Sequence, residues 1–211
     1  MSKERIQKIT CPECGQEIEM VIWDSLNGDL DPEAKAQLLN GTLFRFKCSK
    51  CGHESNLQYS ILYHDMKNSA MVYFVHPDAV EQTIQELSEM EEKLPVKMDG
   101  YRKRVVCDQN TLREKAILFD NGVDDRVAEI IKLIYLASAH KQFPDNEITA
   151  AYMMIEDGKK WIQFFSQEPL SAEIPAEIYE KISKDLAAKL DAAGNDDFVV
   201  DLDWAKKLLN S

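Results

Sequence analysis

The 211-residue sequence has no long apolar run. No stretch approaches the roughly 20 consecutive apolar residues that a helix needs to cross a bilayer. The first residues, Met-Ser-Lys-Glu-Arg, are not followed by the apolar segment of a secretory signal. We therefore expect a soluble, cytoplasmic protein with no membrane partner.

Signatures of catalysis are also missing. The sequence contains no glycine-rich phosphate loop, no G-x-S-x-G elbow and no H-E-x-x-H pair. The four histidines do not have the mutual spacing of metal ligands: they are His53, His64, His76 and His140. We predict no catalytic residue and no organic cofactor, and a non-enzymatic role is favoured.

Negative charge is unevenly distributed along the chain. The formal net charge is −12, of which residues 1–76 carry −2 and residues 77–211 carry −10. Nucleic acids are polyanions whose binding requires clustered cations, so they are unfavourable partners for the second part. An acidic surface suits a basic protein partner, and it also favours solubility.

Four of the five cysteines form two matched pairs, Cys11-Pro-Glu-Cys14-Gly and Cys48-Ser-Lys-Cys51-Gly. Cytoplasmic thiols stay reduced, so we do not interpret these pairs as disulfides. A C-x-x-C turn points two thiolates at one centre, and the glycine that follows permits a positive φ. Two such turns supply the closed four-thiolate shell of structural zinc. We predict that Cys11, Cys14, Cys48 and Cys51 bind one structural zinc ion.

Other interpretations of the cysteines remain open. Iron in a rubredoxin-like site would use the same four ligands. Redox-active dithiols are disfavoured, because neither pair stands at the strand-to-helix junction of a thioredoxin-like unit. His53 is expected to donate a hydrogen bond near the metal or to lie exposed. Cys107 is predicted to be a small buried apolar residue.

Residues 1–76 are predicted to form a small antiparallel, zinc-ribbon-like sheet with a helical insertion. Alternating and apolar segments predict strands, and Asp31-Pro32 and Asn40-Gly41 mark the ends of a short helix between the cysteine pairs. The predicted elements are strands at 16–23 and 43–47, a helix at 34–39, and a hairpin at 57–63 and 70–75.

The cysteine pairs and their flanks resemble the CpXC domain family, a prokaryotic group named for its cysteine pairs. The similarity includes the acidic strand and short helix between the pairs, and the segment from Phe46 to His53. A further stretch, residues 112–132, is similar to a segment found downstream in longer members. The second pair lacks the proline of the family name, which does not affect ligation. The resemblance implies metal binding and assigns no biochemical activity.

Residues 77–211 are predicted to form an acidic, helix-rich α+β domain with a β-hairpin, so the whole chain is assigned to the α+β class. Helical periodicity and capping signals alternate with short strand patterns. The predicted helices are 78–93 (ended by Pro95), 111–120 (opened by a capping box at Thr111 and Glu114), 125–140, 174–190 and 204–209. The predicted strands are 102–107, 148–155, 161–165 and 198–200.

Charged residues in the helix 125–140 have two interpretations. Asp125, Arg126, Glu129 and Lys132 resemble a catalytic cluster, but their spacing is also that of a helix cap followed by ion pairs on the helix surface. We favour the second interpretation.

These patterns lead to three functional hypotheses. The first is a zinc-stabilised, non-enzymatic module that binds a protein partner through its acidic half. The second is a transcription- or nucleic-acid-associated zinc ribbon, suggested by Arg45, Lys47 and Lys50 around the second cysteine pair. The third is an enzyme with a pocket between the two halves.

Overall fold

The chain folds into two compact units, residues 1–116 and 117–211. The computed structural model describes residues 1–93 and 100–211, so the predicted helix end at Pro95 lies outside the described residues. The first unit contains β1 (Lys3–Thr10), β2 (Glu17–Asn27), α1 (Pro32–Leu39), β3 (Arg45–Lys47), β4 (Glu54–Asn56), β5 (Ile61–Asp65), β6 (Ala70–Phe74), α2 (Val80–Lys93), β7 (Arg102–Val106) and most of α3 (Gln109–Asp120).

A five-stranded mixed sheet forms the centre of the first unit. Its strand order is β1-β2-β5-β6-β7, with β1–β2 and β5–β6 antiparallel and β2–β5 and β6–β7 parallel. The inner strands β5 and β6 bury alternate side chains, as the period of a pleated strand requires. The predicted boundary between residues 76 and 77 falls inside this unit, since β7 follows it and pairs with β6.

The small antiparallel sheet and the helical insertion are both present. Strands β3 and β4 pair antiparallel, and α1 lies between the two cysteine pairs in the sequence. Asp31 stands before α1 as predicted but makes no side-chain cap hydrogen bond. At the other end Gly41 has a φ of 77°, and the N–H of Thr42 donates to the carbonyl of Gln37, so Asn40-Gly41 ends the helix as predicted.

The second unit packs helices against a three-stranded antiparallel sheet of order β10-β9-β8. The buried core joins α4 to one face of this sheet, including Ile131, Met153 and Ile162. Asp157 and Gly158, both at positive φ, form the predicted hairpin turn. The elements are α4 (Asp125–Gln142), β8 (Ile148–Glu156), β9 (Lys159–Ser166), β10 (Leu170–Ile174), α5 (Ala176–Asp185), α6 (Ala187–Ala193) and α7 (Leu202–Asn210). The α+β class is confirmed.

Three predicted elements of the later chain are wrong in whole or in part. The predicted helix 174–190 is two helices, α5 and α6, which meet at Leu186, and Ile174 belongs to β10. Residues 198–200, which the structure describes, form an irregular segment that leads into α7, where the Asp201 side chain caps the helix by accepting from the Trp204 N–H. Helix α3 begins at Gln109, before the predicted capping box, since Asp108 accepts from the N–H of Thr111 at 2.9 Å.

The interpretation of the α4 charges also needs correction. Asp124 caps the helix by accepting from the N–H of Arg126, as expected. Glu129 and Lys132 form an ion pair at 2.9 Å, but both side chains are buried, and Asp125 is buried as well. They are therefore not helix-surface charges. The helical spacing of Asp125, Glu129 and Lys132 places them on one face of α4. That this face is buried follows from how α4 packs and could not be predicted from the spacing.

Asp65, at the end of β5, is a fully buried carboxylate. It accepts hydrogen bonds from the backbone and side-chain N–H groups of Asn68 at 3.0 Å and from the Tyr63 hydroxyl at 3.2 Å, and Lys35 Nζ lies 3.5 Å away. Burial acts to raise the pKa of Asp65, but these hydrogen bonds and the positive charge of Lys35 outweigh it and lower the pKa. The ionised group therefore joins the β5–β6 turn to α1.

We expect Asp65→Asn to lower the free energy of unfolding by about 3 kcal/mol at neutral pH, because it removes a buried negative charge that faces Lys35 and accepts three hydrogen bonds. The folded pKa of Asp65 lies below its ordinary value of 3.8, so the stabilisation is complete above that value and is lost as the pH falls through the folded pKa.

Urea unfolding of both proteins at several pH values measures this effect. The difference in the free energy of unfolding between the unaltered protein and Asp65→Asn should stay constant from neutral pH down to about pH 5. It should become smaller only below about pH 4. Asp78→Asn, at a carboxylate that is 92% exposed, is the control and should change the stability by less than about 0.5 kcal/mol. If this difference in the free energy of unfolding stayed the same below about pH 4, the ionised form of Asp65 would not be what stabilises the fold.

Candidate metal centre

The first cysteine turn connects β1 to β2. The N–H of Cys11 donates to the carbonyl of Gln16 at 2.9 Å, and the N–H of Gly15 donates to the carbonyl of Cys11 at 3.0 Å. Gly15 has a φ of 69°, and a Cβ added there would meet no atom within 4 Å. Glycine is therefore favoured here by backbone conformation and not by lack of space.

The second cysteine turn connects β3 to β4 and repeats the same pattern. The N–H of Cys48 donates to the carbonyl of His53 at 2.8 Å, and the N–H of Gly52 donates to the carbonyl of Cys48 at 2.9 Å. Gly52 has a φ of 77°. The two C-x-x-C-G segments, which are similar in sequence, thus adopt the same backbone conformation. Each turn presents two sulfur atoms on the same side.

The four sulfur atoms meet at one point. Cys11 Sγ lies 3.6 Å from Cys51 Sγ, and Cys14 Sγ lies 3.6 Å from Cys48 Sγ. All four lie within 4.8 Å of one another. A tetrahedral site with metal–sulfur bonds of about 2.3 Å has sulfur–sulfur edges of roughly 3.8 Å. The cluster therefore fits one small tetrahedral metal ion, and each close pair joins one turn to the other.

One side of the sulfur cluster is apolar and the other faces solvent. Cys11 and Cys48 are buried with Phe46, and Ile9, Ile18, Met20 and Leu57 pack around them. Cys14 is partly buried and Cys51 is exposed. Phe46 stands in the middle of β3, so the short strand places this ring beneath the sulfur atoms. A metal ion here would join the β1–β2 hairpin to the β3–β4 hairpin, with access from the Cys51 side.

The thiols of the second turn differ in acidity. The backbone N–H of Cys51, followed by that of Lys50, lowers the pKa of Cys48 to about 6, although burial opposes the shift. The backbone N–H of His53 lowers the pKa of Cys51, but loss of hydration and the three neighbouring thiols outweigh it and raise this pKa to about 12. A divalent cation at the centre of the cluster would favour the thiolate form of every ligand.

The remaining site predictions have mixed outcomes. Among the described residues, the Cys, His, Asp and Glu side chains that lie close enough together to hold a metal are those of the four cysteines, and His53 is not part of this group. The predicted burial of Cys107 is wrong, because this residue is exposed. The N–H of Val75 donates to the carbonyl of Val106, so the β7 pairing ends one residue before Cys107 and the side chain leaves the sheet.

The two hairpin turns bring four cysteines together within an α+β protein, in a cluster that could hold a metal ion such as zinc. The family model described as "CpXC protein" matches residues 9–132, which include all four cysteines. The chain therefore belongs to the CpXC family, and the match spans more than half of it.

Two further comparisons find no relative. No curated protein and no solved structure matches the chain. In the part of the chain that the structure describes, every helix is too short or too polar to span a bilayer.

We expect Cys14→Ser to lower the affinity for metal by more than about 100-fold. Replacing a residue that only hydrogen-bonds to a metal ligand already lowers the affinity by about 10- to 100-fold. Cys107→Ser is the matched control, because it makes the same substitution at an exposed cysteine outside the cluster. Metal content after dialysis and competition with a chromophoric chelator measure both. Equal metal content in the two variants would contradict the four-sulfur site.

Proposed function

We propose that Cys11, Cys14, Cys48 and Cys51 hold one structural zinc ion. The convergence of four thiols supports this assignment, since thiolate ligands in a tetrahedron suit zinc. Iron has the same ligand preference in such a shell and is the alternative. Four thiolates fill the shell, so no position remains at the metal for water or substrate. The ion would fold the first unit and would take no part in catalysis.

Zinc should therefore be present at one ion per chain, and its removal should destabilise the first unit. Structural zinc sites contribute about 10 kcal/mol or more to the folding of isolated finger peptides. Elemental analysis identifies the metal, and urea unfolding with and without a strong chelator measures its contribution. Chelation should not change the stability of the Cys14→Ser variant further. Iron as the bound metal would contradict the zinc assignment and leave the four-sulfur site intact.

We further propose that the protein is a non-enzymatic module whose acidic second unit binds a basic protein partner. Residues 117–211 contain 18 Asp and Glu and 10 Lys and Arg, a net charge of −8. This charge favours fast association with a positively charged protein surface.

An aromatic residue on the second sheet supports an interface there. Phe164 and Phe165 are adjacent in β9 and point to opposite faces: Phe164 is 7% exposed in the core, whereas Phe165 is 65% exposed. The register places Trp161 and Gln163 on the same face as Phe165. Large aromatic residues are enriched at protein interfaces.

The nucleic-acid alternative has weaker support. Arg45, Lys47 and Lys50 are all exposed near the second cysteine turn. However, Lys47 forms an ion pair with Glu54 at 2.7 Å, and that lysine lowers the pKa of Glu54. One of the three cations is therefore already offset by a carboxylate of the adjacent strand, which weakens a phosphate-binding patch. The enzyme alternative stays a prediction.

We expect the zinc-loaded protein to recover a stoichiometric basic partner from the native cytoplasm, and Phe165→Ser to lose it. Phe143→Ser is the matched control, since Phe143 is also exposed in the second unit but lies outside the sheet. Co-purification measures how much partner each variant recovers per chain. Metal content, measured in parallel, shows whether each variant is loaded with zinc. Recovery of no stoichiometric partner by the unaltered protein would count heavily against the interaction role.

A further inference from the structure

The first unit has a groove on its surface, distinct from the sulfur cluster. Its volume is about 530 Å³, and it lies between one face of the β1–β2 hairpin and the start of α1. The apolar part of its lining includes Val21 and Trp23 from β2 and Leu30 and Pro32 from the segment that leads into α1.

The apolar surface continues from the groove onto the edge strand β1. Ile6 lies opposite Val21 and Glu4 lies opposite Trp23, so these four side chains share one face of the hairpin. Ile6 is 70% exposed, Leu30 62% and Val21 46%. Single exposed apolar residues are common, but adjacent ones beside a groove are typical of an interaction surface.

The polar part of the groove is acidic. Glu4, Asp31 and Glu33 contribute to its lining. Asp31 accepts a hydrogen bond from the hydroxyl of Ser2. Among the described residues, neither Glu4 nor Glu33 has a cation within ion-pair distance, and the nearby Lys35 points instead to Asp65. The groove thus combines an apolar floor with carboxylates that can accept cationic partners.

We propose that this groove binds an extended segment of a partner protein. On the face of that segment that meets the groove, which is formed by every second residue, Lys or Arg and aliphatic side chains follow each other. The aliphatic side chains would pack on Ile6, Val21 and Leu30. The cations would meet Glu4 and Glu33, with the Trp23 ring available for cation–π contact. Same-face side chains of an extended chain recur every roughly 6.6–6.8 Å, the spacing at which Glu4 and Ile6 follow each other along β1. This inference rests on the proposed interaction role. It adds a contact site in the first unit, with its own ligand chemistry, to the surface proposed for the same partner on the second unit.

A second copy of the chain is a less suitable occupant. Antiparallel pairing of two β1 strands about their centre, between Ile6 and Gln7, would place Arg5 of one copy opposite Lys8 of the other. Like charges directly opposite each other destabilise a strand pair. Two of the three basic residues of β1 are also held in the β1–β2 hairpin, where Lys3 and Arg5 both form ion pairs with Asp24. Charge complementarity therefore favours a different, basic chain.

A phage-displayed library of random peptides, selected on the zinc-loaded full-length protein, tests this proposal. We expect the enriched peptides to contain Lys or Arg and aliphatic residues two positions apart. Synthetic copies should bind at least about tenfold more weakly to Leu30→Asp and to Glu33→Lys, and more weakly at high salt. Met90→Asp and Glu92→Lys are the matched controls, because both positions are exposed on α2 outside the groove, and these variants should bind as the unaltered protein does.

Several outcomes would overturn the proposal. These are no enrichment, enriched peptides without Lys or Arg, or equal binding to the groove and control variants. Concentration-dependent dimerisation that is lost in Leu30→Asp would instead identify a second copy as the occupant. Metal content and urea unfolding of each variant exclude misfolding as a cause. If Leu30→Asp and Glu33→Lys still recover a partner that Phe165→Ser loses, the groove inference fails and the proposed function stands.

Discussion

The first unit depends on bringing together two turns that are separated by 33 residues of sequence. The local apolar cluster at this point is small, with Cys11, Phe46 and Cys48 as its buried members. The four sulfur atoms lie within 4.8 Å of one another, so four negative charges there would repel each other without a cation. The zinc ion proposed for this cluster would link the two hairpins, because its binding free energy would become folding free energy.

The cysteine cluster and the groove share the β1–β2 hairpin. One end of this hairpin carries the first cysteine turn, and the other end faces α1 across the groove. The buried Asp65 network fixes α1 from the opposite side through Lys35. Two polar interactions of different kinds, the buried carboxylate and the proposed metal ligation, would therefore hold the two walls of one apolar surface. Without these interactions, the apolar surface would be poorly defined, because β1, the outer strand of the β1–β2 hairpin, lies at the edge of the sheet.

The predictions that succeeded rest on local chemistry. The two C-x-x-C-G segments specify a turn and a positive φ at Gly15 and Gly52, so the sulfur cluster could be predicted without the fold. The hairpin turn at Asp157-Gly158 was predictable for the same reason. The edge strand β1 escaped prediction because its charged residues weaken the alternating pattern. Helix α3 was predicted to start too late, because the sequence contains two possible caps. Asp108 caps the helix by accepting from the N–H of Thr111, whereas the predicted capping box begins at Thr111 itself.

The sequence by itself determined the four-cysteine cluster, the acidic balance, the α+β class and the family resemblance, because these follow from residue type and short spacing. Only the tertiary structure decided which faces are covered. It buries Glu129 and Lys132, exposes Cys107, extends the first sheet to β7 and leaves Ile6, Val21 and Leu30 beside an acidic groove. Periodicity fixes which side chains share a face, but burial depends on what packs against that face from elsewhere in the chain.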